Sequence, residues 1–182
     1  LPAQKVADGY EVLVKAEAFG AVNVKFVPQT VEGEQEAAFA VSDDGVETPF
    51  YIINWNEKGQ LTTLFDKEAG CPVLKEGQLG NVLEFYEDKP MEYDAWELEM
   101  AYTLKKPEHA VLTAAPQVIE NGSLKAVIRF NYTYRDSAIV QDMILYKDSR
   151  RIDFKTWVDW KESHKLFKTA FYTDIRSTKA TY

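Results

Sequence analysis

Between Glu84 and Glu99 the chain places seven carboxylates around Tyr86, Tyr93 and Trp96, with Lys89 as the cation among them. Such a mixture suits a sugar: aromatic faces stack on the apolar C–H side of a pyranose, and carboxylates accept hydrogen bonds from its hydroxyls. Asp88, Tyr93, Asp94 and Trp96 are therefore the candidate ligand-contacting residues. The same composition also describes a solvated acidic loop anchored by buried aromatics, and residue types alone leave both readings open. A carboxylate pair can run glycoside hydrolysis when it flanks the scissile bond at about 5 Å for retention, or further apart for inversion. Asp88 and Asp94 are available, but nothing local sets one apart as a buried acid beside an ionised partner, so no catalytic pair is assigned.

Other chemistries find less support. The histidines are His109 and His164, without HxH, HxxxH or CxxC spacing, so no metal centre is assigned within this chain. His164 reads as part of a turn between strands, and His109 as part of a surface loop. No Ser, Cys or Thr sits in a nucleophile elbow, and no glycine loop is built to cradle phosphate. A formal charge of −8 argues against a phosphate-binding surface and hence against nucleic acid as a partner. No apolar run reaches the roughly 18 residues that span a bilayer, so no membrane partner is expected either. Cys71 is the single cysteine, which excludes an intrachain disulfide and favours a cytoplasmic location. Asn121-Gly122-Ser123 and Asn131-Tyr132-Thr133 fit the glycosylation triplet, but the first reads as a hairpin turn and the second lies within a strand pattern.

The elements that must position these residues are strands. Leu124, Ala126, Ile128, Phe130, Tyr132 and Tyr134 alternate with Lys125, Arg129, Asn131 and Thr133, the period-two pattern of a half-buried strand. Ile139–Tyr146 is apolar on both faces. In the next run Ile152, Phe154, Val158 and Trp160 oppose Asp153, Lys155 and Asp159, and both runs are expected to pack deep. Asn121-Gly122, Arg135-Asp136-Ser137 and Lys147-Asp148-Ser149 supply turn chemistry between them, which predicts antiparallel pairing. Earlier strands are expected at Tyr10–Ala16, Ala21–Val27, Ala37–Val41, Pro49–Trp55, Gln60–Phe65 and Val82–Tyr86. No sustained helical stripe appears, so the fold class is all-β, an antiparallel β-sandwich with a small N-terminal β piece. The domain reading is a small β piece over 1–27, a polar connector over 28–47 and the main sandwich over 48–182. Because the chain opens on Leu1 without an initiator Met, it is expected to be a segment of a longer protein.

A resemblance sharpens this reading. Phe50-Tyr51-Ile52-Ile53-Asn54-Trp55-Asn56-Glu57-Lys58-Gly59-Gln60-Leu61, followed by Leu64-Phe65-Asp66-Lys67, is similar to the strand, turn, strand opening of the C-terminal β domain in bacterial-type α-mannosidases of glycoside hydrolase family 38. Gly80 to Pro90 and then Tyr93-Asp94-Ala95-Trp96-Glu97-Leu98 resemble the next segment of that domain, with Glu97 where the family often has Asp. Gln141-Asp142-Met143-Ile144-Leu145-Tyr146, Arg151 to Trp160, and Glu162, His164, Lys165 and Lys168 match its late strands. The likeness runs over about residues 48 to 182.

The resemblance implies a galactose-mutarotase-like supersandwich, truncated at its C-terminus. It also implies a parent enzyme that is a retaining, zinc-dependent exo-α-mannosidase acting on α-mannoside glycans. The family's Asp nucleophile and its zinc, held by His and Asp, belong to an N-terminal barrel followed by a helical bundle. Those motifs do not occur in this sequence, so the fragment is expected to be inactive, to hold no cofactor itself and to have that barrel and bundle as partners. Asp88, Tyr93, Asp94 and Trp96 would then lie at the rim of the sugar pocket. The alternative is a free-standing carbohydrate-binding β-sandwich, which would hold a glycan without chemistry.

Overall fold

A computed structural model of the chain describes residues 1–25, 37–93, 96–175 and 177–179. Among these residues every regular element is a strand except one 3-10 turn, Met100–Leu104. Strands β1 (Ala3–Val6) and β2 (Gly9–Val12) make a hairpin. Strands β3 (Ala40–Val41), β4 (Gly45–Glu47), β5 (Tyr51–Trp55), β6 (Leu61–Asp66) and β7 (Cys71–Pro72) form a five-stranded antiparallel sheet in that order. Strand β8 (Val82–Glu87) lies between β9 (Glu108–His109) and β15 (Lys165–Ala170). The last sheet joins β10 (Val111–Leu112) and β11 (Gln117–Asn121) to one edge of β12 (Lys125–Tyr134), followed by β13 (Ser137–Tyr146) and β14 (Ile152–Asp159).

The predicted alternation of β12 is realised. Ala126, Ile128, Phe130, Tyr132 and Tyr134 are buried while Arg129, Asn131 and Thr133 are partly exposed on the opposite face. Arg135 adopts φ 51° between Tyr134 and Ser137, the tight turn that sets the β12–β13 register from Tyr134↔Ser137 to Lys125↔Tyr146. Three sheets close over one core, in which Val46, Ile53, Trp55 and Leu61 meet the inward row of β12, Ile139, Met143 and Leu145 of β13, and Leu83 and Phe85 of β8. Trp55 and Phe130 bridge the layers edge to face at 5.5 Å. Gly59 closes the β5–β6 turn at φ 73°, where a Cβ would lie 2.5 Å from the Tyr132 hydroxyl that donates to the Gly59 carbonyl.

The structure redraws several expected bounds. Strand β14 does not pack deep: it pairs with β13 alone among the described residues, and Trp157 and Val158 are exposed. Alternation reports which side chains share a face, and an edge strand alternates as well as a central one. The N-terminal strand reaches only Val12, where its partner ends, and residues 21–25 form no strand; the rest of Ala21–Val27 lies outside the described residues. Of the stretch read as a connector, β3 and β4 join the sheet and Phe39 and Val46 enter the core. His109 sits on β9 rather than in a loop. Gln4 ties the N-terminal hairpin to the sandwich, because its Oε1 accepts the Leu124 and Lys125 backbone N–H groups at 2.6 and 2.9 Å.

Phe130→Ala is expected to cost about 3–5 kcal/mol in chemical denaturation, as buried aromatic truncations do, whereas Trp157→Ala on the exposed edge should cost about 1 kcal/mol or less. Equal losses for the two would refute this assignment of core and edge.

Candidate functional site

Strand β8 carries the site because it has two unlike faces. Leu83 and Phe85 point into the core, and Phe85 stacks between Tyr134 at 3.7 Å and Phe167 at 4.7 Å. Val82, Glu84 and Tyr86 leave the other face. Directly across the strand pairs, Glu84 has His109 on β9 and Lys168 on β15, so all three side chains rise from that outer face.

Glu84 is only 4% exposed, and its carboxylate is held by phenols: Tyr172 donates to Oε1 at 2.6 Å and Tyr86 donates to Oε2 at 2.9 Å. Burial, and then this bond to an anion, push the Tyr86 phenol up to about 12. Tyr102, from the 3-10 turn, stands edge on to Tyr86 at 5.2 Å. The Lys168 ammonium donates to the Tyr102 hydroxyl at 3.0 Å and lies 4.8 and 5.5 Å from the Tyr102 and Tyr86 ring centres. These contacts pin the 3-10 turn to the sheet.

From β8 to that turn, the described residues 88–93 and 96–104 belong to a strap. Glu87 fastens its base through ion pairs with Lys105 and with Lys89 at 2.6 Å, which hold the Glu87 carboxyl at about 2. The Asp88 N–H donates to the carbonyl of His164, which shapes the β14–β15 turn at φ 54°. Beyond this anchor the strap turns outward. Trp96 is 89% exposed and Tyr93 60%, with Met91, Leu98, Met100 and Leu104 also exposed. Trp96 is therefore not a core anchor, and the aromatic that secures the segment is Tyr102 rather than Tyr93 or Trp96. Asp88 is half-buried in a separate hollow with Pro90, Trp160 and His164. Asp94 lies outside the described residues. Tyr93 and Trp96 stay together, the Trp96 N–H donating to the Tyr93 carbonyl at 3.0 Å.

A cleft of about 780 Å³ opens on the same outer face of β8. Glu84, His109 and Tyr172 line it with Val82, Val111 and Leu112, and the β5–β6 turn contributes Glu57, Lys58 and Gln60. Sequence reasoning counted Glu84 among the acidic residues and missed His109, Lys168, Tyr102 and Tyr172. No local signal marks those four; the alternation through Val82–Tyr86 puts only Glu84 and Tyr86 on one face. Among the described residues no group of three or more His, Cys, Asp and Glu could hold a metal ion, and no helix is long and apolar enough to cross a membrane.

The Tyr86 titration gives a test. Its folded value lies above the ordinary 10.0, so the stability it contributes is complete below pH 10 and is lost as pH rises through about 12. Burial also raises the phenols of Tyr132, Tyr134 and Tyr146, and the bond to Glu84 raises that of Tyr172, so absorbance at 295 nm should show several phenols fewer ionising near pH 10 than in a denatured sample, and Glu84→Gln should move Tyr86 and Tyr172 downward. An unchanged titration in Glu84→Gln would contradict both bonds.

Comparison with known proteins agrees with this architecture. Residues 46–182 match the family model described as the glycosyl hydrolases family 38 C-terminal domain. Alpha-mannosidase G of Dictyostelium discoideum is 34% identical over 149 residues, which are 79% of this chain and 14% of that protein. Alpha-mannosidase 2C1 is 28% identical over 154 residues in Homo sapiens, 81% of this chain and 15% of that protein, and 32% identical over 132 residues in Mus musculus, 71% and 13% respectively. The chain thus spans about one seventh of the length of the curated relatives it matches. By its antiparallel sandwich and its family match from residue 46 to residue 182, the chain belongs to glycosyl hydrolase family 38, as its C-terminal domain.

Proposed function

We propose that this chain is the non-catalytic β-sandwich of a retaining, zinc-dependent α-mannosidase that cleaves terminal α-mannosides, and that its strap meets the catalytic part of that enzyme at the rim of the sugar site. The observation that carries the strap's role is the exposure of Trp96 and Tyr93 on a segment fastened at both ends. Six large apolar side chains within residues 91–104 stand open to solvent, and a fixed segment of that kind is what an interface offers. The acidic residues between them suit either sugar hydroxyls or basic groups on a partner.

In this reading the nucleophile and the zinc ligands are supplied by the rest of the polypeptide, as the resemblance to the family implies. The zinc would polarise the substrate when bound there, and this chain's task is to hold the rim and bury the facing surface. The exposed lone thiol of Cys71 fits a reducing compartment, and we place the enzyme in the cytoplasm.

In the full enzyme, Trp96→Ala should lower kcat/KM for an aryl α-mannoside about tenfold, equivalent to about 1.4 kcal/mol of transition-state binding. The unfolding midpoint should stay close to wild type, since the ring makes little core contact. Unchanged kinetics in both Trp96→Ala and Tyr93→Ala would reject the rim role, and release of mannose by the 182-residue chain alone would reject its non-catalytic assignment.

A further inference from the structure

Three acidic residues are buried among the described ones: Asp66, Asp142 and Glu84. A carboxylate taken out of water needs compensation, and the usual form is a cation. Asp142 has the Arg129 guanidinium on both oxygens at 2.7 and 2.8 Å, and Asp66 has Arg150 together with the Glu68 and Ala69 N–H groups. Glu84 makes no ion pair with a described residue. It has phenols instead, one on each oxygen.

Two hydrogen bonds use about half of the acceptor capacity of a carboxylate. What remains of the acceptor capacity of Glu84 belongs to a group that lines the 780 Å³ cleft. The walls there have the other half of a sugar's chemistry. Val82, Val111 and Leu112 are apolar, the ring of Tyr172 is exposed, and His109 leaves the sheet beside Glu84. Glu57, Lys58 and Gln60 also line the cleft, so the lining carries two carboxylates and one lysine. A phosphate would find one lysine against two carboxylates, and an organic cation would find that lysine among its neighbours. A neutral polyol finds acceptors, donors and an apolar wall.

We propose that this cleft binds a pyranoside, with Glu84 accepting its hydroxyls, Tyr172 facing its C–H side and Val111 lining the opposite wall. The α-mannosidase reading supplies only the choice of sugar.

The test uses the full polypeptide that carries this chain and an S-linked α-mannoside bearing a diazirine, photolysed and mapped by peptide mass spectrometry. Label is expected in the peptides covering 77–84 and 107–112 and should be displaced by excess methyl α-mannoside. Glu84→Gln should reduce it about tenfold, the scale of one hydrogen bond to a charged group. Val111→Trp, at a side chain 62% exposed and thus free to enlarge without disturbing the core, should remove it. Label confined to other peptides, label that both variants leave intact, or displacement by an alkylammonium ion but not by the mannoside would each overturn the proposal. Hydrolysis of 4-nitrophenyl α-mannoside by the same preparation decides the parent activity separately. Its absence would sink the mannosidase reading while the cleft labelling still decides this one.

Discussion

The placement of Phe85 between Tyr134 and Phe167 governs the functional face. The three rings lie nearly parallel, with centres 3.7 and 4.7 Å from Phe85, and Trp160 extends the stack at 6.1 Å. Because side chains alternate along a strand, fixing Phe85 inward fixes Glu84 and Tyr86 outward, and a one-residue slip of β8 would exchange the faces. The stack also joins three separate stretches of chain, since Tyr134 ends β12, Trp160 follows β14 and Phe167 lies on β15. Just before β8, Asn81 at φ 50° donates to Gln141 at 2.7 Å, and Gln141 donates to Thr156 at 3.0 Å. This buried amide relay holds the entry of β8 against the neighbouring sheet.

How much of this was legible in the sequence depended on the range of the interaction. The β12 row from Ala126 to Tyr134 and its Arg135-Asp136 turn are local, and both could be read directly from residue order. The depth of β14 could not, because Ile152, Phe154, Val158 and Trp160 show the same alternation whether or not a further strand pairs beyond them. Trp160 illustrates the difference: its ring joins the core stack although the residue is more than a third exposed. The short strands β3, β4, β9 and β10 carry too few residues for a period to show. Their existence follows from long-range pairing, such as Glu84 with His109.

The site divides in the same way. Composition alone marked 84–99 as acidic and aromatic, but it left open whether Trp96 and Tyr93 were buried anchors or, as the structure has them, exposed. It could not separate Glu84, which is buried, from Glu97, which is exposed. The residues that make Glu84 distinctive are Tyr172, 88 positions away, and Tyr86, two positions away. Lys168 and Tyr102 meet across 66 positions. No local pattern announces such pairs, and the sheet register creates them.

Phenols and guanidinium groups leave a buried carboxylate in different states. Arg129 occupies both oxygens of Asp142 through its planar fork, which satisfies the charge and closes it to other donors. An arginine in place of Tyr86 or Tyr172 would do the same to Glu84. Hydroxyl donors each take one position on one oxygen, restrain the carboxylate without neutralising it, and leave acceptor sites beside an apolar wall. The protein uses the arginine solution at Asp142 and at Asp66, where the side chain locks strands or turns together. It uses the phenol solution at the one buried acid, among the described residues, that borders the 780 Å³ cleft. That division of labour separates a carboxylate that holds the fold from one kept available to a ligand.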